Sequence, residues 1–136
     1  MEVYAVRLMP GTDLKAGLDA HVRALGLTAA FVLSGIGSLD VAVLRLADGR
    51  AGTTHPGPLE ILSLDGTLGP DGGHLHAAVA DARGRVRGGH VMPGCVVRTT
   101  AEIVPGADPS LVFAREQDAA TGYRELVVQT SRGGVD

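Results

Sequence analysis

Tryptophan is missing from this chain, and its aromatic rings are Tyr4, Phe31, Phe113 and Tyr123. Four rings are too few for a platform on which nucleic-acid bases stack. Lysine is nearly missing too: Lys15 stands beside eleven arginines, and the formal net charge is −3. That balance opposes the phosphate neutralisation on which non-specific nucleic-acid binding rests. The single Cys95 excludes an internal disulfide and fits a reducing cytoplasm. It reads as a packed small residue rather than a nucleophile. No apolar run approaches the roughly 18 residues of a membrane span, and the Met1-Glu2-Val3-Tyr4 start does not read as a signal peptide. The expectation is a cytoplasmic protein without a membrane partner.

What is present is a chain able to bury itself. Its 136 residues suit one domain, 45% of them are hydrophobic, and the mean hydropathy is positive at +0.20. Residues 3–9 read as a strand closed by Pro10-Gly11. Thr12 or Asp13 then caps a helix with the apolar stripe Leu14, Leu18, Val22 and Leu25, and Gly26 ends it. From Thr28 onward strand and turn alternate. Strands are expected at 29–33, 39–46, 59–68, 95–104, 111–116 and 123–128, with loops at 47–57 and 105–109. In the strand after Pro58, Leu59, Ile61 and Ser63 are expected to face opposite to Glu60, Leu62 and Leu64. The expected organisation is one α+β domain over residues 1–128, mostly antiparallel sheet with one main helix near the N-terminus, followed by a loose C-terminal tail over 129–136. Apolar strands with few guarding charges suggest burial in an oligomer.

The most specific local feature is a cluster of His74, His76 and His90. On a strand His74 and His76 share a face. A three-residue loop at 82–84, ending on Gly84, sets Asp81 opposite Arg85 and His76 opposite His90, with His74 one diagonal away. Opposed Cβ atoms lie about 5 Å apart and diagonal ones about 7–8 Å, so three imidazoles could reach one divalent ion. Three histidines leave a coordination position open, as catalytic zinc sites do. A two-residue loop at 82–83 would instead set Leu75 opposite His90 and break the cluster. The plainer alternative is three histidines on a solvated strand. His21 borders the helix stripe and reads as a surface residue; His55 falls on the expected 47–57 loop.

Other motifs carry less. Gly35-Ile36-Gly37 lacks a third glycine and a following helix, which excludes a nucleotide loop. Glu60, Glu102 and Asp81 are the carboxylates considered for a general base. None has a defensible placement; Asp81 reads as a turn-shaping residue, and the other two as exposed strand or interface residues.

Together, Gly57-Pro58-Leu59-Glu60-Ile61-Leu62-Ser63-Leu64-Asp65-Gly66-Thr67-Leu68 and Gly88-Gly89-His90 give the chain a resemblance to the plant and prokaryote conserved (PPC) domain. Supporting pieces are the segment from Leu14 into Phe31-Val32-Leu33-Ser34-Gly35-Ile36-Gly37-Ser38, and Phe113-Ala114-Arg115-Glu116. The likeness runs from about Tyr4 to Leu126. It implies a compact α+β domain assembled as a homotrimer, with hairpin histidines that match His74, His76 and His90 and resemble a zinc site. In plant relatives the domain follows an AT-hook that enters the DNA minor groove, and a Gly-Arg-Phe-Glu-Ile-Leu motif is associated with partner contact. Here Gly57-Pro58-Leu59-Glu60-Ile61-Leu62 departs from that motif at the Arg and Phe positions. Arg83-Gly84-Arg85 imitates an AT-hook core, but Val86 follows it and it sits at the expected hairpin turn.

Three readings follow. The first is a cytoplasmic homotrimer binding zinc or another divalent metal through His74, His76 and His90. The second is a DNA-binding or transcription-associated platform for protein partners, by analogy with the AT-hook proteins; the charge does not support direct DNA binding. The third is a metal-assisted hydrolase or lyase, for which a general base is lacking.

Overall fold

A computed structural model describes residues 1–132. Two short strands, β1 (Glu2–Val3) and β2 (Val6–Leu8), replace the expected single strand, and both pair with β7 (Val96–Ala107). Next in the chain is helix α1 (Leu14–Ala24), which begins where Asp13 accepts a hydrogen bond from the Ala16 N–H at 2.9 Å. Leu14, Leu18 and Val22 are buried. Leu25, expected on the same stripe, is 43% exposed, because it is the C-cap and the chain leaves the helix at Gly26 with φ +66°. No helix among the described residues is long and apolar enough to cross a membrane.

Two sixteen-residue strands, β3 (Ala30–Arg45) and β4 (Thr53–Leu68), form the frame. Ser34 to Ser38 lies inside β3 as continuous strand. The expected 47–57 loop is shorter than its Gly and Pro content suggested. Strand β4 starts at Thr53 and pairs Thr54 with Val43, His55 with Ala42 and Pro56 with Val41. Strands β5 (His74–Ala80) and β6 (Val86–Val91) follow, and then β7. The order β1-β7-β3-β4-β5-β6 does not end in a free edge at β6. Leu44 and Arg45 of β3 pair with Val91 and His90, so the sheet closes on itself. Residues 105–107, expected as loop, extend β7. Pro105 fits there beside a register shift between Val32 and Ser34 of β3, where the ladder does not require its missing N–H.

A bulge in β4 sets the faces around the site. Against β5, Ile61 pairs with Val79 but Ser63 pairs with Ala78, so one residue is absorbed between them. Leu59 and Ile61 are buried, Leu62 and Ser63 are both exposed, and Leu64 and Leu68 are buried. The expected uninterrupted alternation therefore fails: Leu64 joins the core side. Beyond the bulge Asp65 pairs with His76 and Thr67 with His74, and all four project away from the core that takes Leu64, Leu75, Ala77 and Val79.

Strands β8 (Leu111–Gln117) and β9 (Arg124–Thr130) make a separate two-stranded sheet. Gln129 and Thr130 pair with Val112 and Leu111, so this part of the expected loose tail is strand; residues 133–136 lie outside the described residues.

Candidate metal centre

The β5–β6 hairpin turns on Asp81. Its N–H donates to the Arg85 carbonyl at 2.9 Å, and its carboxylate accepts from the N–H groups of Arg83 and Arg85 and from Arg85 Nε. Those bonds close a loop of 82–84 with Gly84 at φ +77°. This is the expected register, and His76 lies opposite His90. Arg83-Gly84-Arg85 is turn structure. At the other end of β5, the Gly73 N–H donates to the buried Asp19 of α1 at 2.7 Å, which ties the entry into His74 to the helix.

The three imidazoles meet on this surface. Ring centroids are 5.0 Å apart for His74 and His76, 4.9 Å for His74 and His90, and 5.7 Å for His76 and His90. One nitrogen from each lies within 4.8 Å of the others. Nε2 of His74 and Nε2 of His76 are 3.1 Å apart. Two nitrogens on one tetrahedral zinc, each bonded at about 2.0–2.1 Å, stand about 3.3–3.4 Å apart, so the spacing is close to that of a ligand pair. Nδ1 of His90 is buried and has no hydrogen-bond partner among the described residues. Such an atom is costly unless something else satisfies it; a cation coordinated through Nδ1 would do so.

The electrostatics favour the neutral ring at His90 and His74. Partial burial lowers the His90 pKa to about 4, reinforced by the Arg45 guanidinium and the two neighbouring histidines. Burial also lowers that of His74, followed by the Arg115 guanidinium and His76. Neutral imidazole is the form that ligates a metal. The donor set thus fits a divalent ion of the zinc type, which would supply an electrophilic centre with one position free for an oxygen ligand.

Other candidate residues lie elsewhere. Nε2 of His21 and of His55 are buried without a partner, but neither residue joins the cluster. His55 lies on β4 and lines a separate cleft with Pro58, Asp81 and Arg83. Glu60 and Glu102 are exposed strand residues, and Glu102 pairs with Ile36 and Arg7. Cys95 is fully buried, and its thiol contacts the Val43 backbone. The sequence reading missed four residues that frame the triad. Arg45 pairs with His90 across β3–β6, and Asp65 with His76 across β4–β5. Arg115 and Tyr123 come from the β8–β9 hairpin. Counting register past the bulge would have found Asp65; the other three depend on non-local packing.

The family model for the Plants and Prokaryotes Conserved (PCC) domain matches residues 1–107. A protein named Bifunctional protein GlmU from Synechococcus sp. (strain JA-2-3B'a(2-13)) is 51% identical over 133 residues, covering 98% of this chain and 21% of that protein. The chain thus spans about a fifth of the length of the curated relatives it matches. Among solved structures, a hypothetical protein from Salmonella enterica is 45% identical, with a TM-score of 0.91 over 96% of this chain and 94% of its own. A metal-containing protein from Archaeoglobus fulgidus shares the fold at 24% identity, with a TM-score of 0.74 over 93% of each chain. A candidate DNA-binding protein from Bacteroides thetaiotaomicron shares it at 22%, with a TM-score of 0.80 over 91% of this chain and 90% of its own.

Proposed function

The chain belongs to the Plants and Prokaryotes Conserved domain family, and we propose that it is a metal-binding module in which His74, His76 and His90 hold one divalent cation, zinc or a similar ion. The observation that carries this reading is the convergence of three imidazoles within 4.8 Å on one sheet face. The metal-containing archaeal protein of the same fold supports it. The module works in the cytoplasm as a homotrimer. Support for assembly comes from Leu33, Ile36 and Leu62, which are 47–52% exposed on β3 and β4, an apolar surface suited to a second copy. Light scattering at micromolar concentration should give three times the chain mass; a monomer mass would reject the trimer.

Metal content per chain after dialysis against a weak chelator tests the site. Wild type should retain zinc, while His76→Ala and His90→Ala should lose it, since two imidazoles hold a tetrahedral ion poorly against water. His21→Ala and His55→Ala should behave as wild type. Equal retention in all variants would reject the site. The second reading, DNA association, draws support from Arg83, Arg85 and Arg87 along one cleft and from the candidate DNA-binding neighbour. Duplex titration at several salt concentrations checks it, and the net charge of −3 leads us to expect no appreciable binding at physiological salt.

A further inference from the structure

Resting on the metal reading above, we infer that the cleft over the histidine triad takes a small oxyanion-bearing ligand, held between the cation's open position and the guanidinium of Arg45. Three observations converge on this assignment. The first is the placement of Arg45. It is the β3 partner of His90, so its Cβ stands about 5 Å from that of a metal ligand. Its guanidinium lies 5.9 Å from the ring centroid of Tyr123, and among the described residues no carboxylate pairs with it. A cation–π contact orients an arginine but leaves its in-plane N–H donors unused. Those donors form the fork that matches a carboxylate or phosphate edge.

The second is the state of the other charged groups. Arg115 Nη2 donates to Thr67 Oγ1 at 2.7 Å, and Thr67 is the β4 partner of His74; a second guanidinium is thereby fixed beside the triad. Arg124 donates to the Arg115 carbonyl. Of the nearby acids, Asp71 already accepts from the Arg115 N–H and Glu125 from the Thr121 hydroxyl, while Asp65 lines a different cleft with Thr67, His74 and His76. Arg45, Arg115 and Arg124 balance those three acids in number. A bound divalent cation would add positive charge to that balance, which an anion would neutralise.

The third is space. The cleft has a volume of about 510 Å³, with Arg45, Leu46, Gly49, Tyr123 and Gly88 among its walls. That lies within the usual range for small-molecule sites, roughly 300–1,000 Å³. Gly88, on the same face of β6 as His90, gives up side-chain volume where the ligand would enter. A Cβ on Gly89 would fall 2.8 Å from the Arg45 carbonyl oxygen, so the close β3–β6 contact that carries Arg45 to His90 needs glycine there.

The test uses the full chain loaded with Co²⁺, whose visible absorption reports its coordination. Inorganic phosphate and succinate are titrated separately, which distinguishes a phosphate ligand from a carboxylate one. Wild type should bind one Co²⁺, and at least one of the two anions should change the spectrum saturably. Arg45→Gln should weaken that anion about tenfold or more with cobalt stoichiometry unchanged. Tyr123→Leu, which removes the ring that orients Arg45 but keeps its guanidinium, should weaken it less. Cobalt uptake with no response to either anion, or an Arg45→Gln affinity equal to wild type, would overturn the anion assignment and leave the metal reading standing. No cobalt uptake by wild type would overturn both.

Discussion

The site has two walls built on different principles. The histidine wall stands on the closed sheet, where Leu75 and Val79 between and beyond His74 and His76 are wholly buried along with Leu44, Val91 and Val97. The opposite wall, the β8–β9 hairpin, has no wholly buried apolar side chain among its described residues; its best-covered positions are half-buried. It is attached by separate polar links. The Phe113 N–H donates to the Thr28 carbonyl, the Thr28 hydroxyl to the Leu111 carbonyl, and Arg115 reaches Asp71 and Thr67. Apolar burial gives the histidine wall a fixed geometry, as the proposed coordination set would require. Discrete hydrogen bonds give the facing wall freedom to open locally at small cost.

Core truncation is the strongest way to break this contrast. Leu75→Ala should cost about 2–5 kcal/mol, because truncating a fully buried leucine between His74 and His76 leaves a cavity. Leu126→Ala on β9, at a side chain 37% exposed, should cost under about 1 kcal/mol. Chemical denaturation measures both, and equal costs would refute the two-wall description. Acid gives a smaller and one-sided effect. The folded-state pKa of His90 is near 4, below the ordinary 6.5, and that of His74 is lowered too. Their contribution to stability is therefore complete above about pH 6.5 and is lost as the pH falls toward 4. Denaturation midpoints of the metal-free protein should decline over that interval, and His90→Ala should flatten the decline. The smallest effect is expected at the hairpin link. Thr67→Val, which removes the acceptor for Arg115, should cost about 0.5–1.5 kcal/mol. It should speed amide exchange in β8 and β9 while leaving β5 unchanged; equal acceleration in both would mean the walls open as one unit.

The sequence made the hairpin site legible because everything that sets it is local. Seventeen residues from His74 to His90 contain the three histidines, the turn carboxylate Asp81 and the glycine at positive φ. Helix α1 was equally plain from its cap and its stripe. Strand β4 was not, because Pro56, Gly57 and Pro58 carry turn chemistry yet sit in a strand, next to a register shift in β3 between Leu39 and Val41. The second bulge, at Ile61 and Ser63, leaves no compositional mark, and so Asp65 went unseen. Arg45, Arg115 and Tyr123 are brought to the triad from opposite ends of the chain, by ring closure and by docking of a hairpin that lies beyond the 1–107 family match. No periodicity encodes that.

Ring closure at β3–β6 also imposes an order in time. The donors lie on one hairpin, a unit that forms within microseconds. Arg45 reaches His90 only when a segment 45 residues distant in the chain completes the sheet, and the entropic cost of closing that loop must first be met. A refolding chain can therefore gather its three imidazoles before it owns the arginine opposite them. Were a cation held there as proposed, its capture and the completion of the cleft would be successive events.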